Sequence, residues 1–172
     1  MHGLLNLHKP AGVTSRAVVN QIQRLVRPAK IGHTGTLDPL ATGVLVVCVG
    51  AATRLTEYVQ QMRKTYEATF LLGRRSDTDD VDGDVAEISD ALQPSQAEIE
   101  GALPPFVGAI SQRPPDFSAV KIQGQRAYAL ARLGEPLAIA ERTVHVHVLR
   151  LVHYVYPQLQ LEIECGSGTN VR

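Results

Sequence analysis

The sequence has few cysteines, no long apolar run and no net charge. Only two of its 172 residues are cysteine, Cys48 and Cys165, which excludes a framework of several disulfides and a four-cysteine zinc site. The longest apolar stretch, residues 43–52, is too short to span a bilayer, and no secretory leader pattern opens the sequence. A net charge of zero excludes a histone-like polycation. We therefore expect a cytoplasmic protein that does not enter a membrane.

What the sequence does have is enough apolar residues for a core, at 44%, and the length of a single domain. Its charge is unevenly spread. Residues 1–75 carry ten basic and three acidic side chains, residues 76–101 carry nine acidic and no basic ones, and residues 102–172 carry seven basic and five acidic ones. The basic first part suits a polyanion such as a nucleic acid. The alternative is scattered surface charge beside a solvated acidic loop.

Hydrophobic periodicity and turn residues predict an α+β fold with a mixed, mainly antiparallel sheet flanked by helices. In the predicted pair of strands near the C-terminus, Val144, Val146 and Val148 are expected to face the core. The predicted elements are a strand at 3–7, a helix from Thr14 or Ser15 to Val26, a loop at 32–43, a strand buried on both faces at 44–49, a helix at 52–62, a strand at 66–72, an acidic turn at 77–84, a helix at 95–103 with a capping box, a strand at 118–123, a helix at 126–133, and two strands that pair across Tyr156 and Pro157.

Two candidate metal sites fail on their spacing. If Gly83 occupied the sixth position of an EF-hand loop, the first and twelfth ligands would be Thr78 and Ser89, which lack the required carboxylates. His145 and His147 share a strand face but have no third ligand in phase, which favours a half-exposed polar face. We therefore expect no metal ion.

Asp38 is the candidate for chemistry, because it is the only carboxylate before Arg54 and lies in a stretch of apolar and small residues. A carboxylate in such surroundings needs a cation or hydrogen-bond donors to remain ionised. Leu37, Leu40 and Val44 are expected to keep water away from it. The alternative interpretation is purely structural, because Asp-Pro is a common way to begin a turn.

Residues 32–43, which read Gly-His-Thr-Gly-Thr-Leu-Asp-Pro-Leu-Ala-Thr-Gly, closely resemble the catalytic motif of the TruB family of tRNA pseudouridine synthases. The companion subunit of guide-RNA pseudouridylation complexes shares parts of this pattern, but the Leu-Ala-Thr-Gly ending is more similar to the stand-alone enzyme. Further stretches resemble the family's other motifs in their order: an opening Lys-Pro motif at 3–12, a tyrosine strand at 64–66, an acidic turn at 77–83, an RNA-gripping segment at 115–121 and 124–128, and an arginine motif at 168–172.

The resemblance implies a pseudouridine-synthase fold and the isomerisation of uridine 55 in the tRNA T-loop to pseudouridine, without a metal or an organic cofactor. It implies tRNA, through its T-stem-loop, as the partner of a monomer that needs no other protein. It also implies roles for six residues. These are Asp38 as the nucleophile or the base that removes the 2′ proton, Arg172 as the partner of that carboxylate, Tyr66 as the platform that stacks on the target base, His33 as the side chain that enters the RNA, and Lys121 and Arg126 as phosphate contacts. Lys9, in the opening motif, is expected to be structural.

Two departures from the family pattern keep other functions open. Asn170 stands where the family usually has an aromatic residue, and the sequence stops at Arg172, so the catalytic domain predicted for residues 1–172 is expected to be incomplete at its C-terminal end. One alternative is a catalytically silent tRNA-binding or RNA-folding protein on the same scaffold. A weaker one is a glycosidase or nucleosidase of small substrates, against which the basic N-terminal part argues.

Overall fold

The chain forms two compact units, Met1–Met62 and Arg63–Arg172, which we call the N-terminal and the C-terminal unit. The computed structural model describes residues 1–115 and 139–171, and the backbone of residues 121–122 and 125–126. No helix within these ranges is both long enough and apolar enough to cross a membrane. The division into two units does not test whether residues 1–172 form one catalytic domain, which stays a prediction.

The N-terminal unit is a three-stranded antiparallel sheet with one long helix packed on a face. Its strands are β1 (Gly3–Lys9), β2 (Ile31–His33) and β3 (Gly43–Val49), in the order β1–β3–β2, and its helices are α1 (Ser15–Val26) and α2 (Thr56–Gln61), the latter preceded by a 3₁₀ helix at Gly50–Leu55. Val19 and Val26 of α1 pack against alternate residues of β3, namely Leu45, Val47 and Val49. The apolar stripe of α1 thus covers the face of the sheet on which these alternate residues of β3 lie.

The sequence predicts α1 correctly, but its prediction of burial for β3 is partly wrong. Thr14, not Ser15, caps the helix, since its hydroxyl oxygen accepts the backbone N–H of Ala17 at 3.1 Å. The prediction that residues 44–49 are buried on both faces is wrong for Val44, which is 65% exposed. The reason is that α1 covers only one face of β3, whereas the other face is fully buried only at Cys48.

The C-terminal unit is built on a four-stranded antiparallel sheet in the order β4–β11–β10–β7. Its core consists of buried residues of β10, β11 and α3. Its described elements are β4 (Lys64–Leu71), β5 (Arg74–Arg75), β6 (Ala86–Glu87), α3 (Gln96–Ala102), a 3₁₀ helix (Pro104–Phe106), β7 (Gly108–Gln112), β8 (Lys121–Ile122), β9 (Gln125–Arg126), β10 (Arg142–Val155) and β11 (Gln158–Cys165).

In this unit the predicted capping box and strand pair are confirmed, but a bulge interrupts the predicted alternation of β10. The predicted capping box of α3 is present, with the Ser95 side chain and the Glu98 carboxylate each bonded to the other's backbone N–H. The paired strands are also present, but a bulge lies between Val146 and Val148. The bulge inserts one residue, so Val148 pairs with Glu164 instead of continuing the core face.

Two predictions near the middle of the chain need correction. Arg126 does not begin a helix, because it lies in β9 and pairs with Lys121 of β8. The rest of the helix predicted for 126–133 lies outside the described residues, as does most of the strand predicted for 118–123. The α+β class is confirmed, and every strand pair in the described part of the chain is antiparallel.

Candidate active site

Asp38 lies in the loop that joins β2 to β3. The loop leaves β2 through Thr34, whose backbone N–H donates to the carbonyl of Val46 at 3.0 Å. Asp38 then begins a tight turn, since its own carbonyl accepts the N–H of Ala41 at 3.1 Å. Pro39 occupies the second position of this turn, where its fixed φ is favourable. The turn interpretation of Asp-Pro is therefore confirmed, and the residue that begins the turn is half-buried.

Ser15 holds the peptide units just before Asp38. Its hydroxyl accepts the backbone N–H of Leu37 at 2.9 Å and donates to the carbonyl of Leu37 at 3.1 Å. Ser15 is 2% exposed and is the first residue of α1. Because Thr14 caps the helix, the Ser15 hydroxyl is available for this contact with the loop.

Lys9 holds the residue just after Asp38. Its side chain is fully buried (0% exposed), and its ammonium donates to the carbonyls of Pro10 at 2.9 Å, Val13 at 2.7 Å and Pro39 at 3.2 Å. The Pro39 carbonyl also accepts the N–H of Gly12 at 2.9 Å. Gly12 has a φ of +79°, a conformation that a residue with a Cβ rarely adopts. The opening Lys-Pro motif therefore has the structural role expected of it.

The charges of Lys9 and Asp38 are coupled. Burial of the ammonium lowers the pKa of Lys9 below its ordinary value of 10.5, and attraction to the Asp38 carboxylate opposes that shift. The Lys9 ammonium thus lies near enough to the Asp38 carboxylate for their charges to interact.

The apolar surroundings expected around Asp38 differ from the prediction. Leu37 is half-buried, but Leu40 and Val44 are exposed, at 39% and 65%. These two side chains form an exposed apolar rim next to the turn and do not by themselves exclude water from the carboxylate.

His33 ends β2 at the entrance to the same loop. Its Nδ1 lies 2.8 Å from the carbonyl oxygen of Gly35, and since a carbonyl only accepts, Nδ1 carries the proton of this bond. The ring is thereby fixed in direction relative to the loop. His33 is therefore the last residue of β2 and not part of the loop predicted for residues 32–43, and Asp38 lies in the loop that follows it.

Tyr66 lies in β4 of the C-terminal unit. It pairs with Ile163 of β11 and packs, half-buried, against the core of that unit. Two positions along the same pair of strands, Lys64 pairs with Cys165. Burial raises the pKa of the Cys165 thiol, against the opposing effects of a hydrogen bond with the Thr169 side chain and the charge of Lys64, so the thiol is neutral and a poor nucleophile. The stacking role of Tyr66 stays a prediction.

The segment that leads to Arg172 is held by side chains that the sequence analysis missed. The amide of Gln112, at the end of β7, donates to the carbonyl of Asn170 at 2.8 Å and accepts its N–H at 2.9 Å. Arg142 donates to the carbonyl of Gly168, and the Thr169 hydroxyl donates to that of Gly166 at 3.1 Å. Arg172 itself lies outside the described residues, so its pairing with Asp38 stays a prediction.

Lys121 and Arg126 face each other as backbone partners in the short β8–β9 hairpin. Their side chains lie outside the description, and their phosphate contacts stay a prediction. Within the acidic turn, the carboxylates bond locally: Asp77 accepts the N–H of Asp84 at 2.9 Å, and Asp80 accepts that of Asp82 at 3.0 Å. These bonds stabilise the conformation of the acidic loop itself.

Comparisons with known proteins agree with the motif. Residues 23–171 match the model of the TruB family pseudouridylate synthase, N-terminal domain. The chain is 45% identical to tRNA pseudouridine synthase B of Acaryochloris marina, with 100% of the chain and 60% of that relative covered. It is 48% identical to the enzyme of the same name from Dinoroseobacter shibae, with 99% and 56% covered. The chain thus spans somewhat more than half the length of these curated relatives.

Solved structures support the fold. The chain superposes on a chain of a Cbf5-Nop10-Gar1 complex with a TM-score of 0.72 and 28% identity, covering 99% of this chain and 41% of that one. A chain of an H/ACA RNP bound to a substrate RNA containing 2′-deoxyuridine gives a TM-score of 0.67 at 24% identity, covering 98% and 39%, and shows the fold alone. With the family match over most of its length and the Asp38 loop in place, this chain belongs to the TruB family of pseudouridylate synthases.

Proposed function

We propose that this chain carries catalytic machinery of a cytoplasmic tRNA pseudouridine synthase that isomerises uridine 55 in the T-loop. The observation that carries the proposal is the Asp38 turn, in which a half-buried carboxylate has its backbone held on both sides by Ser15 and Lys9. Fixing the direction of one carboxylate is what a reaction at a single sugar carbon requires. The relatives named tRNA pseudouridine synthase B support tRNA as the substrate.

The reaction breaks one bond to the sugar and forms another. The N1–C1′ bond breaks with its electron pair remaining on the uracil, the base turns, C5 bonds to C1′, the hydrogen on C5 leaves as a proton, and N1 gains a proton. Positive charge develops at C1′, and a carboxylate beside it stabilises that charge. Retaining glycosidases need a second carboxyl group as the acid for a poor leaving group. Uracil leaves as a delocalised anion, so Asp38 alone suffices, either as the nucleophile or as the base for the 2′ proton, and no cofactor is required.

Other residues of the motifs have supporting roles in this proposal. Arg172 pairs with the Asp38 carboxylate through its guanidinium. Tyr66 stacks on the extruded base, and His33 enters the RNA to hold the nucleotide out of its stack. Lys121 and Arg126 contact phosphates of the T-stem. The detached base must be recaptured, and the exposed rim of Leu40 and Val44 is covered by the RNA itself when it binds. The protein acts as a monomer without a protein partner.

The test is tritium release from a tRNA transcript labelled at uracil C5, because that hydrogen is lost only when C5 bonds to the sugar. We expect release by this chain and none above background by Asp38→Asn, while a gel shift shows that the variant still binds the transcript. Asp90→Asn is the matched control, since Asp90 is exposed and its φ of 58° is tolerated by asparagine. Turnover by Asp38→Asn equal to that of the control would contradict the assignment.

One observation favours a second candidate function, a silent tRNA-binding or RNA-folding protein. In this candidate, Asn170 stands in place of the aromatic residue and gives the base pocket a smaller and more polar wall. This candidate predicts salt-sensitive binding of the transcript with no tritium release. Release by the pure chain excludes it, and binding without release favours it over the first proposal.

A further inference from the structure

Ser15 uses its hydroxyl differently from other residues at helix starts in this chain. A serine at a helix start commonly bonds to the backbone of its own helix. Here Thr14 accepts the Ala17 N–H, as a cap does, and Ser15 directs its single donor and one of its lone pairs to Leu37, 22 residues further along the chain. Ser95 of α3, by contrast, bonds only within its own capping box.

The bonds of Ser15 fix both peptide groups of the residue before Asp38. The N–H and the C=O of Leu37 belong to successive peptide planes, and the second of these planes includes the nitrogen of Asp38. Holding both planes from one atom restricts the rotation of the Leu37 backbone, and with it the direction from which the Asp38 side chain leaves the chain. The bonds are shielded from water, because Ser15 is 2% exposed.

We propose that Ser15 is a positioning residue for the reaction, which sets the direction of the Asp38 carboxylate through the backbone of Leu37. The inference rests on the proposed function, since it takes Asp38 to be the reacting carboxylate. Ser15 acts on the rate and not on the affinity, because it touches neither the substrate nor a surface that binds it. A displacement of the carboxylate by about 1 Å is enough to lower the rate of such a reaction by roughly 100-fold.

The matched control is the adjacent hydroxyl. Thr14→Ala removes a hydroxyl from the same helix start and weakens the cap, but it leaves the contact with Leu37 intact. Ser15→Ala removes the contact with Leu37 and leaves the cap intact. Ser15→Thr keeps a hydroxyl at the same position and serves as the conservative variant.

The experiment measures single-turnover tritium release at saturating C5-labelled transcript, with the dissociation constant and the urea midpoint determined in parallel on the 172-residue chain. We expect Ser15→Ala to lower the rate by about 10- to 100-fold with less than a threefold change in dissociation constant. Thr14→Ala lowers the urea midpoint but keeps the rate within twofold of the parent, and Ser15→Thr recovers most of the rate. Equal rates for Ser15→Ala and Thr14→Ala would overturn the proposal.

A second readout separates this inference from the proposed function. Amide hydrogen exchange reports the Leu37 N–H directly, and we expect it to accelerate at least tenfold in Ser15→Ala and to stay unchanged in Thr14→Ala. If the parent releases no tritium, the proposed function fails, and the exchange measurement still decides whether Ser15 orders the backbone beside Asp38. Unchanged exchange at Leu37 in Ser15→Ala would overturn the role of Ser15 independently of any activity.

Discussion

The loop around Asp38 and the segment before Arg172 are held by the same kind of contact, but the side chains that make it differ in chemistry and burial. In each, one polar side chain both donates to and accepts from the backbone of one residue: Ser15 with Leu37, and Gln112 with Asn170. Ser15 is buried and lies at the start of a helix, whereas Gln112 is half-buried at the end of a strand.

The difference lies in what surrounds each contact. Beside Ser15, the fully buried Lys9 holds the following residue, Pro39, so both sides of Asp38 are fixed within the N-terminal unit. Beside Gln112, the additional support comes from Arg142, whose bond to Gly168 is exposed to solvent. Hydrogen bonds in water-free surroundings cost more to break than exposed ones. We infer that the contacts around Asp38 stabilise the chain more than those before Arg172, and the predictions below test the contribution of each.

The largest effect on stability is expected from Lys9→Met. It removes three hydrogen bonds from a buried ammonium and leaves the carbonyls of Pro10, Val13 and Pro39 without that donor. We expect a loss of about 3 kcal/mol in the free energy of unfolding, measured by urea denaturation. Lys30→Met is the control, because Lys30 is an exposed lysine of the same unit, and it should change the value by less than about 0.5 kcal/mol. Similar losses in both variants would contradict the structural role of Lys9.

A smaller loss is expected from Gln112→Ala, about 1 kcal/mol, because its two bonds are only partly buried and Arg142 still holds the segment. Gln112→Glu sharpens the test. It keeps the shape of the side chain but loses the donor, and it sets a carboxylate oxygen against the Asn170 carbonyl, so we expect it to be no more stable than the alanine variant. Gln158→Ala, at an exposed position of β11, is the control. A glutamate variant as stable as the parent would show that the contact contributes nothing.

The smallest effect is in the pH dependence of stability. The pKa of Lys9 is below 10.5 in the folded chain because burial disfavours the ammonium. Between that lowered pKa and 10.5 the unfolded chain binds more protons than the folded one, so the free energy of unfolding rises with pH across this window. Urea denaturation at a series of pH values should show a steeper rise in the parent and in Lys30→Met than in Lys9→Met, where the lowered pKa of Lys64 still contributes. An identical pH dependence in Lys9→Met would contradict the assignment to Lys9.

The sequence predicts what depends on neighbours along the chain. The period of α1, a cap at Thr14 or Ser15 and the capping box of α3 are local patterns, and each is confirmed, with Thr14 as the cap of α1. Asp38 is also found locally, as an isolated carboxylate in an apolar loop. The bulge in β10 is not predictable in this way, because an alternating pattern continues through Val148 while the pairing shifts by one residue.

The long-range contacts that hold the site could not be predicted from the spacing of residues along the sequence. Lys9 reaches Pro39 across 30 positions, and Gln112 reaches Asn170 across 58. A single sequence offers no period or motif that links such pairs. One hint was available, namely the adjacent Thr14 and Ser15, since a helix start needs only one of two neighbouring hydroxyls as its cap.

The contacts around Asp38 end on main-chain atoms, and this has a consequence for sequence variation. Ser15 binds the N–H and C=O of Leu37, and Lys9 binds the C=O of Pro39, so neither contact depends on which side chain stands at position 37. Evolution or a protein engineer can therefore exchange Leu37 and the exposed Leu40 for other apolar residues to suit a different RNA loop, while the direction of the carboxylate stays the same. Freedom to vary the rim of the site thus follows from anchoring the loop through its backbone.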